Sequence, residues 1–228
     1  MIEYLEGASE NCLFRGKLIE YSRKIREGYP KSSYDHKPHL PVLDPPWDKF
    51  KEQIYTEQFR IGYACFKREV AKVIQPTKIL EIGMGIGISA LAFLDACPSA
   101  FYLGIDNDKE SGRDFPVKPS AFVGRLLANR NYLFDVLARD TRELSSLPMK
   151  ADLVHVDGSH EYEDAINDVI LAWESRAPWI LVDDCRDSTV SAAVLAVLHE
   201  RHPGSTEWTY FEDTWTGSIL ISREEPRP

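Results

Sequence analysis

The chain has 228 residues, enough for one large domain or a domain with an appendage, since an average domain runs to roughly 150. Its 27 basic and 36 acidic residues give a net charge of −9, and no local basic stripe offsets it, so a phosphate-backbone partner is disfavoured. At 43% hydrophobic and 28% charged the composition is that of an ordinary globular protein, and its apolar runs are too short to span a bilayer.

Cys12, Cys65, Cys97 and Cys185 are scattered, with no C-x-x-C pair and no Cys/His cluster at zinc spacing, so they read as reduced thiols. The opening segment MIEYLEGASENCLFRGKL carries acids early and lacks a continuous apolar stretch, which argues against a secretory signal and for the cytoplasm. Residues 1–48 include Pro30, Pro38, Pro41, Pro45 and Pro46, a density that forbids a long helix and predicts an irregular arm. From Phe50 to Ile74 apolar residues recur at helical spacing, interrupted by Gly62 and stopped by Pro76, which predicts one or two helices.

Beyond Pro76 short apolar runs ending in an acid or glycine alternate with helical stretches, a βαβ rhythm. Strands are predicted at 78–83, 100–106, 133–140, 152–157 and 179–184, with helices near 87–96, 119–129, 161–175 and 189–201. The closing EWTYFEDTWTGSILIS reads as an antiparallel hairpin. The expected fold is therefore α/β: a Rossmann-like, doubly wound, mostly parallel seven-stranded sheet behind an N-terminal helical and irregular lid. Residues 1–60 are assigned to the lid and 61–228 to the sheet domain. In such sheets ligands sit beyond the carboxyl ends of the strands. Four predicted strands end in Asp106, Asp140, Asp157 and Asp183-Asp184, and the fifth carries Glu81.

Glu81-Ile-Gly83-Met-Gly85-Ile-Gly87 follows a strand and opens a helix, so the chain must turn sharply and let a ligand approach its backbone. The segment from Gly85 to Ala90 also satisfies the dinucleotide form G-x-G-x-x-A, which keeps an NAD-dependent oxidoreductase as a rival. Glu81 weighs against it, because a carboxylate beside pyrophosphate has the wrong sign, whereas amine and sulfonium cations would welcome it. This acid-x-Gly-x-Gly-x-Gly segment resembles the first motif of the class I S-adenosylmethionine-dependent methyltransferases, a resemblance running from about residue 77 to 222. It implies that Glu81, Gly83, Gly85 and Gly87 line S-adenosylmethionine, that Asp106 binds the ribose hydroxyls, and that Asp140, with Thr141 beside it, meets the adenine.

Asp157-Gly-Ser-His160-Glu-Tyr-Glu and Asp183-Asp184 end two strands expected to be neighbours. Three carboxylates in one cleft repel unless a cation neutralises them; the sequence shows no nearby basic motif, and Mg²⁺ suits oxygen ligands. D-G-S-H-x-Y-E followed by V-D-D is similar to the metal-dependent O-methyltransferases of natural-product and antibiotic biosynthesis, of the macrocin O-methyltransferase type. That resemblance implies metal ligands Asp157, Asp183 and Asp184, with His160 as general base. His155 lies inside a strand and reads as a paired core histidine, and His36 and His39 as solvated loop residues. The expected partner is a small hydroxyl acceptor, sugar or phenol, with no nucleic acid and no membrane. A silent S-adenosylmethionine-binding protein is the second rival. The identity of the acceptor, oxygen against nitrogen, the number of identical copies per assembly, and the roles of 1–48 and 107–123 stay open at this level.

Overall fold

The computed structural model describes residues 20–28, 57–109, 118–201, 206–211, 214 and 216–223. Residues 20–28 are helical (α1). They are followed by α2 (Glu57–Ile74), β1 (Lys78–Ile82), α3 (Ile88–Ala96), β2 (Phe101–Asp106), α4 (Pro119–Ala128), β3 (Leu133–Ala138), β4 (Leu153–Val156), α5 (Tyr162–Glu174), β5 (Trp179–Val182), α6 (Ser188–Arg201), β6 (Thr206–Phe211) and β7 (Ser218–Arg223). The predicted elements are present, with strand ends one or two residues shorter. The Pro-rich arm lies outside the described residues. Gly62 does not break α2, which runs through the expected lid boundary at residue 60.

The seven strands lie in the order β3-β2-β1-β4-β5-β7-β6; β1 to β5 are parallel, and β7 runs antiparallel to both β5 and β6. The central strands are buried on both faces, as covered parallel strands must be. Alternation sends Leu80, Ile82, Val154, Val156, Ile180 and Val182 into the layer shared with α5 and α6. Ile79, Leu153 and Leu181 face the opposite layer, where Phe66 and Val70 of α2 meet Phe93 and Leu94 of α3. Buried almost all round, α3 reads as uniformly apolar rather than amphipathic.

Chain order reverses between β1 and β4, which opens a crevice beyond their carboxyl ends. The ladder continues past the strands through Gly83 N to Ile105 O (2.8 Å), Asp157 N to Ile82 O (2.8 Å) and Asp183 N to Val156 O (2.9 Å). Asp106, Gly83, Asp157 and Asp183 are thereby set in a row along one edge of the sheet.

Gly83 is needed at its place in this row for two reasons. Its φ is +84°, and a Cβ there would stand 2.0 Å from the carbonyl oxygen of Asp157. Gly83→Ala is expected to lower unfolding free energy by about 3 kcal/mol or more, read from urea denaturation, since both left-handed backbone and a backbone overlap oppose it. A loss under about 1 kcal/mol would mean that the turn can move off β4.

Candidate active site

The glycine turn is held from below by β2. Asp106 Oδ2 accepts from the backbone N–H of Met84 (3.0 Å) and Gly85 (3.4 Å), and Oδ1 from that of Asp108 (3.0 Å). Burial pushes its carboxyl above the ordinary value, against the pull of those donors. The acid expected to bind ribose thus also clamps the turn. Asp108, which the sequence did not single out, accepts from Ser120 N (2.9 Å) and so ties the loop after β2 to the start of α4.

Glu81 does not open onto the crevice. It is fully buried on the α2/α3 side of β1, where Tyr102 Oη donates to one oxygen and His155 Nδ1 lies 2.8 Å from the other. Period-2 alternation aims it into the sheet's covered face, so its charge is answered inside the fold rather than by a ligand's amine. His155 is the paired core histidine its strand position predicts.

Asp140 lies two residues past β3 and caps a 3₁₀ turn (Thr141–Glu143). Arg142 (2.7 Å) and Lys109 (2.8 Å) hold its carboxyl well below the usual carboxylate range. Arg142 reaches on to Asp164 at 3.3 Å. The Thr141 hydroxyl turns inward and donates to Asp168 Oδ1 on α5. The two residues expected at the adenine are therefore already engaged with protein partners.

The other half of the crevice gathers Asp157, Asp183, Asp184 and His160, as expected. Asp184 adopts φ +55°, unusual for a non-glycine residue, and its Oδ2 lies 2.8 Å from His160 Nε2. His160 is half exposed, and its Nδ1 stands 3.8 Å from Asp187 Oδ2. Asp157 is pushed up well above its ordinary value by burial and by the charges of Asp184 and Asp183.

The sequence reading missed α2. Tyr63 Oη donates to Asp157 Oδ2 and accepts from Ser89 Oγ (2.9 Å), joining the glycine-turn helix to the end of β4. One helical turn later Lys67, only 1% exposed, places Nζ 2.5 Å from Asp183 Oδ2. Thr216 and Ser218 each donate to Asp183 Oδ1 at 2.7 Å. Burial opposes ionisation of Asp183, but Lys67 outweighs it and holds the carboxyl down at about 2. The expectation that no basic group neutralises these acids is corrected: Lys67 comes from a distant part of the chain.

A three-carboxylate Mg²⁺ site does not fit this donor set. Asp183 spends both oxygens on three donors, one of them an ammonium, and an ion on the shared oxygen would lie beside a fixed positive charge. Glu81, His155 and Asp157 offer ligand atoms within 4.8 Å of one another, yet the first two are sealed in the sheet, where both Glu81 oxygens are taken by Tyr102 and His155 Nδ1, while His155 Nε2 is buried without a hydrogen-bond partner among the described residues.

Residues 80–185 match a family model described as a methyltransferase domain. No curated protein matches the chain by sequence. Among solved structures it is similar to the S-adenosylhomocysteine-bound methyltransferase PaMTH1 of Podospora anserina, with 13% identity, 96% of this chain and 100% of that one covered, and a TM-score of 0.59. It is also similar to an O-methyltransferase from Bacillus cereus in complex with S-adenosylhomocysteine (12%; 88% and 100%; 0.56). A third is the O-methyltransferase TomG of Streptomyces achromogenes, involved in tomaymycin synthesis and in complex with S-adenosylmethionine (18%; 90% and 99%; 0.55). These identities speak for the fold, and the domain match for the reaction class.

Asp168 supports the floor of this crevice. It is buried against Gly158, where a Cβ would come 2.6 Å from its Oδ2, and burial raises its carboxyl to about 6. In an unfolded chain it would titrate near 4, so the folded state binds the proton more tightly. This contribution to stability is fully present below about pH 4 and is lost as pH rises through about 6, roughly 3 kcal/mol in all. Asp168→Asn is expected to be more stable than wild type at pH 7 and to lose that advantage at pH 4, read from denaturation at both values. A difference independent of pH would show that Asp168 is not buried as an acid.

Proposed function

We propose that the protein is a class I methyltransferase that takes a methyl group from S-adenosylmethionine and places it on a hydroxyl oxygen of a small acceptor, a sugar or phenol of secondary metabolism. The observation that carries the reading is the His160–Asp184 pair standing at the end of the same strand row that holds the glycine turn. S-adenosylmethionine supplies a methyl group on a sulfonium, whose sulfur keeps the bonding electrons when the methyl leaves.

The chain's own residues do the rest. The turn at Gly83, Gly85 and Gly87 brings backbone close to the methionine portion, and Asp106 stands at the neighbouring strand end for the ribose. Asp140 and Thr141 border the adenine side in this proposal, presenting their backbone and the Arg142 and Lys109 rim rather than a free carboxylate. When His160 Nε2–H donates to Asp184, Nδ1 is the atom that takes the acceptor's proton, and Asp184 and Asp187 flank the resulting imidazolium. In-line placement of oxygen, carbon and sulfur is the main catalytic demand, which suits a rigid row of strand ends. The acceptor side is assigned to the arm and to residues 107–123, of which 1–19, 29–56 and 110–117 lie outside the described residues. Among the described residues no helix is long and apolar enough to cross a membrane, and we place the enzyme in the cytoplasm.

Calorimetry should show S-adenosylhomocysteine binding, weakened by about 2 to 3 kcal/mol in Asp106→Ala through loss of charge-assisted hydrogen bonds. Preference for NAD would overturn the assignment. With a hydroxyl acceptor, His160→Ala should lower kcat by about 10² to 10⁴ while cofactor affinity holds. A variant within about threefold of wild type would leave His160 outside the chemistry, and methylation of amines alone would replace oxygen by nitrogen.

A further inference from the structure

Lys67 sits where the cleft's acids would otherwise need an external cation. Its ammonium lies 2.5 Å from Asp183 Oδ2, 4.4 Å from the centroid of the Tyr63 ring and 5.2 Å from that of Phe66, and it is closed off from solvent. A buried ammonium is tolerable only when paired, and Asp183 is its ion-pair partner among the described residues. A divalent ion binding Asp183 would have to compete with the ammonium for an oxygen that the fold has already assigned, and would sit next to a like charge. Thr216 and Ser218 close the other oxygen. Tyr63, one turn away on the same helix, fills one side of Asp157.

We propose that Lys67 is the resident cation of this cleft, and that the protein transfers methyl groups without a divalent metal. Lys67 acts as a positioning residue. It neutralises Asp183, and through Tyr63 the same helix holds Asp157, so removal of the acceptor's proton falls to His160 and Asp184 alone. The proposal rests on the crevice being the methyl-transfer site, and metal binding can be read independently of that.

The test titrates the full chain with Mn²⁺, followed by electron paramagnetic resonance and by calorimetry, on wild type, Lys67→Met and Lys67→Arg. Wild type should bind no Mn²⁺ up to about 1 mM, and its affinity for S-adenosylhomocysteine and its turnover should agree within about twofold in EDTA and in excess Mg²⁺. Lys67→Met keeps the apolar stem and removes the charge, so it should gain at least about tenfold in Mn²⁺ affinity. Lys67→Arg should restore indifference to metal. Submillimolar Mn²⁺ binding by wild type, or activity abolished by EDTA and restored by Mg²⁺, would overturn the proposal. So would a folded, S-adenosylhomocysteine-binding Lys67→Met that still excludes Mn²⁺. The wild-type titration decides even if Lys67→Met fails to fold, and absence of S-adenosylhomocysteine binding in every condition would instead sink the functional reading.

Discussion

A buried ammonium and a buried carboxylate, Lys67 and Asp183, bind helix α2 to the end of β5. Neither charge is stable alone in an apolar interior, and replacing either would strand the other. The pair is consequently a strong constraint on where α2 can lie: the helix must cross the strand ends with one face down. That crossing delivers Tyr63 to Asp157 and Ser89, and it brings Phe66 and Val70 onto α3. The roof of the crevice is anchored by a contact between segments more than a hundred residues apart.

Beneath that roof the sheet supplies precision. Parallel pairing leaves β2, β1, β4 and β5 ending at one level, and backbone bonds that run one residue past β1, β4 and β5 extend that level to Gly83, Asp157 and Asp183. Close approach between the glycine turn and Asp157 ties the end of β1 to the end of β4. Rigidity of this kind suits a reaction whose barrier is lowered mostly by alignment.

Features carried by adjacent residues were legible in the sequence. The glycine turn, the strand-terminal acids and the His160 spacing are local patterns, and the alternation of apolar runs with helical stretches gave the sheet. What the linear pattern could not convey was which partner each acid would meet. Lys67 lies in an ordinary amphipathic stretch, Thr216 in a hairpin turn and Ser218 at the start of β7, and no short-range rule joins them to Asp183. Glu81 shows the reverse error: its place beside the glycines suggested a ligand contact, whereas the face it occupies on β1 was decided by alternation. Asp140 was read for its strand end, but Lys109 and Arg142 were close enough to claim it.

Tyr102, Glu81 and His155 lie on β2, β1 and β4, three strands that are adjacent only in the folded sheet, and they are linked side by side within its buried layer. An apolar layer would tolerate a strand sliding along its neighbour, because one aliphatic side chain substitutes readily for another. A polar chain of this kind does not: displacing β1 by one position would swing Glu81 into the opposite apolar layer, and displacing it by two would part the carboxylate from both phenol and imidazole. The cross-strand chain therefore penalises slippage among β2, β1 and β4 and favours the alignment in which the glycine turn meets the end of β4.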